Sequence, residues 1–462
     1  MPCALLLLSV ALATASEPDT LTDQQHFARE VYQELVQINT TASAGDTYQA
    51  AGAMAARLKA AGFPDEDIHV FETAPKRGNL VARLRGTGKR KPILLMAHID
   101  VVEAKREDWT TDPFQLVEKD GYFYGRGTGD DKYMAATFVS NLIRYKQEHY
   151  KPDRDLILVL ETDEESGDPS RYGIGWLVEN HRDLVDAEFA LNEGGGVGVK
   201  DAKPIYNSIQ TSEKVFQSFW LEVHNPGGHS SQPRHDNAIY ELAAGLDRLA
   251  KFDFPVQLNE TTRLYFDRMS KIEQGQDAAD MKAVLTDPPD PAAVARLSQK
   301  TPYNAQLRTT CVATRLQGGH ADNALPQVAR ALVNCRILPN HSTEEIQSTL
   351  VRVLADDKIT VTPDQPAKPS PPSPLNPQLF KTIEKLTAKF WPGVPVLPLM
   401  STGATDSLYL RKAGIAAYGH SGLANDIFDV RAHGKDERVN VKAFFTGQEY
   451  LYELVKQLSG GR

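Results

Sequence analysis

Three absences narrow the field before any motif is read. The chain has no run of basic residues and a formal charge of −9, so neither nucleic acid nor an anionic membrane is its expected partner. It has no membrane-length apolar segment at its start. Residues 5–12 are apolar but fall far short of the ~20 residues a spanning helix needs. Cysteine is also scarce, with three among 462 residues, and neither Cys311 nor Cys335 has the close Cys or His partner of a sulfur-rich metal site. There are no internal repeats. The glycine-rich stretch Gly125-Arg126-Gly127-Thr128-Gly129 is not followed by Gly-Lys-Ser/Thr, which excludes a phosphate loop.

What remains is an ordinary globular composition, 41% hydrophobic and 24% charged, in a chain long enough for two domains. Residues 5–12, then Ala13-Thr14-Ala15-Ser16 and polar Glu17-Pro18, read as a signal peptide over 1–16, although no Lys or Arg precedes the apolar stretch. The expected location is therefore exported, periplasmic or secreted. Cys3 would leave with that segment. Cys311 and Cys335 stand equidistant from Asn323, so a hairpin centred there sets them opposite each other. Two reduced, buried thiols are the preferred reading, because directly paired strand positions often strain a bridge. A disulfide is the alternative in an oxidising compartment.

Helix and strand patterns alternate up to about Tyr206. A helix begins after a Thr22/Gln25 capping box, and another runs from Asp46 to a stop at Gly62. Strands follow at 68–71, 80–84, 93–97, 156–160 and 189–191, with helices at 134–145 and near Trp176. That order predicts an α/β domain with a mixed, mainly parallel sheet flanked by helices, whose functional groups gather at the carboxyl ends of strands. After Tyr206 the order becomes strand, helix, strand, strand, helix: an α+β unit over 207–369, with an irregular stretch at 252–304 and a proline-rich return at 363–377. The α/β texture then resumes. The expected division is 17–206 with 370–462 as one domain, and 207–369 inserted into it.

The chemistry sits at the strand ends. His98-Ile99-Asp100 ends one apolar run, Glu164 and Glu165 follow another, and Glu193 precedes Gly194-Gly195-Gly196. Asp130 follows the glycine-rich turn, and His433 lies far along the chain. Singly these are bland: a lone His-x-Asp is usually a hydrogen-bonded pair, and adjacent glutamates are usually a solvated loop. Together they supply what a two-metal hydrolytic centre needs, namely terminal ligands, a bridging carboxylate and a free carboxylate to act as base. Asp100 suits the support of His98 through the ring nitrogen that does not bind metal.

Several motifs then converge. They are Met96-Ala97-His98-Ile99-Asp100-Val101-Val102, Trp109 with Asp112-Pro113-Phe114, the stretch 125–132, and Asp163-Glu164-Glu165-Ser166-Gly167. Gly228-His229-Ser230-Ser231 and His433-Gly434 complete them. In combination the chain resembles the metallopeptidase family of glutamate carboxypeptidase, aminoacylase, acetylornithine deacetylase, succinyl-diaminopimelate desuccinylase and carnosinase-type dipeptidases. The resemblance covers essentially all of the chain after residue 16.

It implies a zinc-exopeptidase catalytic domain and, in the inserted unit, a lid or dimerisation domain. His98, Asp130 and Glu193 would hold one ion, and Asp130, Glu165 and His433 the other. Glu164 would be the general base, Asp100 the support of His98, and the peptide bond after Asp130 cis. His229 would polarise the scissile carbonyl, often at a partner subunit's site, which makes a homodimer an expected state. Asn323 and Arg336 would hold the substrate's carbonyl and α-carboxylate, and the loop 401–406, with Gly403 and Thr405, would line the pocket. The stretch 252–304 would enlarge the lid.

The function so implied is hydrolysis of an amide bond beside a free carboxylate, in a small peptide or an N-acyl amino acid. The expected cofactors are two divalent ions, zinc first, with cobalt and manganese also suited to imidazole and carboxylate donors. An aminopeptidase of similar catalytic domain is one alternative, though it would need an acidic pocket for its substrate's amine. A non-catalytic binding protein of the same fold is the other, though it should have lost a ligand or the base.

Overall fold

Thr22 and Gln25 close the capping box of the first helix, Asp23–Gln37, and Val31, Leu35 and Val36 bury its inner face. Asp46 caps the second, Thr47–Ala60, which stops before Gly62 at φ 84°, a conformation favouring glycine. These elements belong to a computed structural model that describes residues 21–165 and 168–460. The expected signal peptide, 1–16, lies outside the described residues.

A ten-stranded sheet forms the centre. Its middle strands, Leu156–Glu161, Ile93–His98, Phe189–Asn192 and Ala416–Gly419, run parallel and adjacent, while antiparallel pairs lie towards both edges. Ile93–His98 is buried on both faces. Ile93, Leu95 and Ala97 pack with the helices Asp23–Gln37, Lys132–Gln147 and Val441–Ser459, whereas Leu94 and Met96 pack with Ile174–Asn180 and Ser407–Lys412. Double-sided burial explains why this run is continuously apolar rather than alternating.

A second, all-antiparallel sheet has four strands in the order Thr310–Gly318, Val328–Ile337, Val215–His224, Ile359–Pro363. Phe219, Leu221 and Val223 point to one face and pack with Leu242 and Leu350 of the helices Ala238–Ala250 and Thr343–Leu354. The hairpin centred near Asn323 is present. It pairs Cys311 with Cys335, and the two are joined in a disulfide rather than left as free thiols. The preferred reading of two thiols is thereby corrected. Direct pairing brought their Cα atoms to 4.1 Å, close enough to bridge.

Two further expectations are corrected. The strand Lys203–Glu213 stays in the large sheet, and the chain passes to the small sheet only at Lys214, beyond the change of texture placed at Tyr206. The strand was hidden because Asn207, Ser208, Gln210, Thr211, Ser212 and Glu213 are polar yet buried. The stretch 252–304 is not irregular. It contains the helices Glu260–Met269, Gly275–Ala283, Pro291–Ser298 and Thr301–Leu307. Their core of Phe266, Met269, Met281 and Leu297 closes on Leu397, in the strand Val396–Ser401 of the large sheet. The stretch thus thickens the side of the large sheet instead of enlarging the small one. Short helices punctuated by Pro288, Pro289 and Pro291 carry too little periodicity to be read as helices.

Candidate metal centre

Three parallel strand ends meet here. Ile93–His98 delivers His98, Leu156–Glu161 is followed by Glu164 and Glu165, and Phe189–Asn192 is followed by Glu193. Adjacency of these strands brings the ends together, as expected of carboxyl ends in a parallel sheet. Asp130 arrives from the glycine-rich turn, and the Asp130–Asp131 peptide is cis, as the resemblance implied. Glu437 holds that turn. Its carboxylate accepts the backbone N–H groups of Gly127, Gly129 and Asp130 at 3.0, 2.7 and 3.1 Å, and pairs with Arg126 at 2.7 Å. Gly127, within that turn, has φ 80°, a conformation that favours glycine.

The carboxylate of Asp130 lies between two imidazoles. One oxygen is 3.0 Å from Nε2 of His98 and the other is 3.2 Å from Nε2 of His433. His433 also reaches Glu165 at 2.8 Å. Two three-donor sets share His98: His98, Glu164 and Glu193 in one, and His98, Asp130 and Glu165 in the other. The donor atoms of each set lie within 4.8 Å of one another. All five expected ligands are gathered, but Glu164, expected to be the free base, stands as a donor with His98 and Glu193 where Asp130 was expected.

The donor set fits a pair of divalent cations. Burial, with neighbouring carboxylates adding to it, pushes Glu164 and Glu193 well above the usual carboxylate range and Glu165 up to about 7. Burial alone would also raise Asp130, but hydrogen bonds to His433 and His98 hold its carboxyl well below that range. Acidic groups crowded into a buried site while imidazole nitrogens face carboxylate oxygens form a cluster that positive ions would neutralise.

Asp100 is fully buried and does more than was expected of it. Its backbone carbonyl accepts from Nδ1 of His98 at 3.0 Å, whereas its carboxylate stands 3.7 Å from that nitrogen. That carboxylate instead accepts the backbone N–H groups of Glu164 and Glu165 at 3.1 and 3.0 Å. One residue thus orients the histidine and pins the loop of the two glutamates.

Three groups that support this centre escaped the sequence reading. Glu437 lies close to His433 in sequence, but no role was legible for it. Asp406, buried, bonds Nδ2 of Asn192 at 2.5 Å, beside Glu193. Glu161 accepts the N–H of Ile174 at 2.8 Å beneath the same loop. Their only signal was a carboxylate at the edge of a quoted motif or at a strand end.

The substrate-side residues divide into two groups. Arg336 is half-buried, with its guanidinium 4.8 Å from the ring centre of Phe216, and it makes no ion pair among the described residues. Burial lowers its pKa, with Glu213 acting in the opposite sense. Thr405 is buried, its hydroxyl donating to Glu213 at 2.9 Å, and the N–H of Gly403 donates to Ser401 at 3.1 Å. His229 and Asn323 lie elsewhere. His229 pairs with Ala324, and the N–H of Ser230 donates to the Asn323 carbonyl at 3.0 Å. Both are exposed, and their hairpin adjoins the Val328 end of the strand Val328–Ile337. Arg336 sits at the other end of that strand, roughly 26 Å away at ~3.3 Å per residue. Asn323 and Arg336, expected to hold the carbonyl and α-carboxylate of the substrate, thus lie towards opposite ends of one strand in a single chain.

An α/β sheet whose strand ends assemble imidazoles and carboxylates into two metal-prone sets defines a hydrolase of the two-metal class. Comparison with known proteins agrees. The family described as Peptidase family M20/M25/M40 matches residues 94–457. The human N-fatty-acyl-amino acid synthase/hydrolase PM20D1 is 30% identical over 383 residues, 79% of this chain and 74% of that protein. A probable carboxypeptidase S-like 2 of Dictyostelium discoideum is 29% identical over 377 residues, 79% of this chain and 71% of that protein. Among solved structures, the M20 family metallo-carboxypeptidase Sso-CP2 of Sulfolobus solfataricus has a TM-score of 0.68 at 17% identity, covering 93% of this chain and 98% of that one. The chain belongs to the M20/M25/M40 peptidase family and is a metal-dependent hydrolase of amide bonds in peptides or N-acyl amino acids.

Proposed function

We propose that the protein cleaves the amide bond next to a free carboxylate, as a carboxypeptidase, dipeptidase or N-acyl amino acid hydrolase. Arg336 carries this reading. A half-buried guanidinium that makes no ion pair among the described residues is suited to receive an anion, and its planar fork suits a carboxylate. The names of the human and Dictyostelium relatives, an N-fatty-acyl-amino acid hydrolase and a carboxypeptidase, support it.

In this reading His98, Asp130 and Glu193 would hold one ion, and Asp130, Glu165 and His433 the other, with zinc the expected metal and cobalt or manganese compatible. When bound, such ions polarise a carbonyl and make a water acidic near neutral pH. Glu164 takes the proton of the attacking water and returns it to the leaving amine nitrogen. Asp100 keeps His98 and the glutamate loop in place. Arg336 fixes the carboxylate, and Gly403 and Thr405 shape the wall beside it.

His229 and Asn323, distant from Arg336 in their own chain, serve the site of a second copy, where His229 donates to the carbonyl oxygen as charge develops on it. The small-sheet unit that begins at Lys214 and ends near residue 369, apart from the helices of 252–304, acts as the lid and dimerisation unit. Its edge strand Thr310–Gly318 supports this role, since it exposes Val312 and Leu316, touches the helix Ala238–Ala250 that exposes Ile239 and Tyr240, and has no strand on its outer side among the described residues. Export belongs to the same proposal. Residues 1–16 read as a signal peptide, and the Cys311–Cys335 bridge suits an oxidising compartment.

Glu164→Gln tests the mechanism. With metal content unchanged, kcat on N-acyl amino acids and dipeptides should fall by roughly 10²–10⁴, and a wild-type rate would refute the role of Glu164. A substrate amidated at its C-terminus should be refused and one blocked at its N-terminus accepted. The reverse preference would favour an aminopeptidase.

A further inference from the structure

Between the two segments that join the sheets, 213–218 and 364–370, lies a cavity of about 380 Å³. Ala404 and Leu408, following the strand Val396–Ser401, close its third side. The same loop leads to the metal-prone centre, because Asp406 bonds Asn192 next to Glu193. On its other side the cavity meets Phe216, whose ring carries the guanidinium of Arg336.

The charged groups lining it are engaged within the protein. Glu213 pairs with Arg411 at 2.9 Å, and Nζ of Lys214 donates to the Arg308 carbonyl at 2.7 Å. Asp364 accepts the indole N–H of Trp220 at 2.7 Å, and Lys368 bonds Asp168 at 3.1 Å and the Tyr409 hydroxyl at 3.0 Å. The amide of Gln217 donates to the carbonyls of Ser218 and Gln365. The apolar part of the wall is formed by Phe216, Leu332, Pro366, Ala404 and Leu408, beside polar Ser218, Gln365 and Ser370 and the Gln217 amide, whose buried Oε1 has no hydrogen-bond partner among the described residues. Phe216 is 51% exposed, an aromatic face with a cation at one side and open space at the other.

From this we infer that the cavity receives the side chain of the residue whose carboxylate sits on Arg336, and that the protein prefers an apolar residue there, such as leucine, methionine or phenylalanine. The inference rests on the hydrolase reading above and adds which amino acid is released. Its volume is at the small end of ligand pockets, roughly 300–1,000 Å³, which suits one side chain. A charged side chain would lose its water and find the charged groups of the lining, Glu213, Lys214, Asp364 and Lys368, already paired. Glycine would leave the apolar walls uncovered.

The test uses the full metal-loaded protein with N-acetyl-glycine, N-acetyl-leucine, N-acetyl-aspartate and N-acetyl-lysine. Burying a leucine side chain should raise kcat/KM roughly 10- to 100-fold over the glycine substrate, with aspartate and lysine no better than glycine. Leu408→Lys should bring the leucine-to-glycine ratio towards one and raise the aspartate-to-glycine ratio. If that variant does not fold, Leu332→Lys makes the same comparison. Independently, L-leucine should raise the melting temperature of the wild type more than glycine does. Equal rates on glycine and leucine, or a preference for a charged side chain, would overturn the subsite and leave the hydrolase reading standing. Cleavage of no N-acyl amino acid and no peptide would overturn that reading and the subsite with it.

Discussion

Three histidines show how much depends on what each imidazole faces. His98 and His433 face carboxylates of the metal-prone cluster. His420 is just as buried as His98, yet its ring lies between the Ser208 carbonyl at 2.9 Å and the Tyr450 hydroxyl at 2.7 Å. Burial pushes its pKa down from 6.5 to about 4, the Ser208 hydrogen bond only partly opposing it. Between those values the unfolded chain binds a proton that the folded chain does not, so stability falls as pH drops from about 6.5 towards about 4. In His420→Gln that acid-side slope should be shallower by one proton, which urea melts at pH 4 to 7 would measure. A slope unchanged from wild type would place the acid sensitivity elsewhere.

Arg336 offers a second prediction at this scale. Arg336→Ala should lower kcat/KM on carboxylate-bearing substrates by roughly 10- to 100-fold, the worth of a charge-assisted pair. Arg336→Lys should recover only part of it, because an ammonium cannot form the two-pronged contact. A variant losing nothing would remove the carboxylate from this position.

Residue types at strand ends were readable because metal chemistry restricts them to imidazole and carboxylate. Glu437 was not readable, because a carboxylate that accepts three backbone N–H groups looks, in sequence, like any other glutamate.

At the scale of elements, the hairpin bridged by Cys311 and Cys335 invites a direct measurement. The bridge spans 24 residues, and in the chain-entropy account its loss should cost about 3 kcal/mol. Cys311→Ser with Cys335→Ser, or reduction of the wild type, should lower the urea midpoint accordingly. Unchanged stability under reducing conditions would mean that the bridge is not formed in solution.

Helices were legible where caps and stripes coincide, as at Thr22 and Ser342, both of which close capping boxes. The strand Lys203–Glu213 was not. A buried strand made of Asn, Ser, Gln and Thr satisfies its polar groups through tertiary partners, among them Nδ2 of Asn207 on Thr387 at 2.9 Å. No local pattern announces that.

For the whole molecule, the separation of His229 from Arg336 makes subunit exchange informative. Glu164→Gln and His229→Asn should each be nearly inactive alone. Mixed in one dimer they should regain about a quarter of wild-type activity, since half the molecules are mixed and half their sites are complete. No recovery would mean that each chain builds its site alone. Leu316→Glu on the exposed edge strand should shift the protein towards monomer in sedimentation and lower activity in parallel.

Taken alone, the sequence determined the kind of chemistry and the α/β scaffold, because metal donors and double-sided burial each restrict which residues a position accepts. The tertiary structure decided which donors share an ion-sized space and that Asp100 pins two glutamates by their backbone. It also decided that residues 252–304 brace the large sheet, that the two cysteines are bonded, and that Arg336, without an ion pair among the described residues, stands beside a partly apolar chamber. Each of these depends on which groups from distant parts of the chain meet, and distance in sequence carries no record of that.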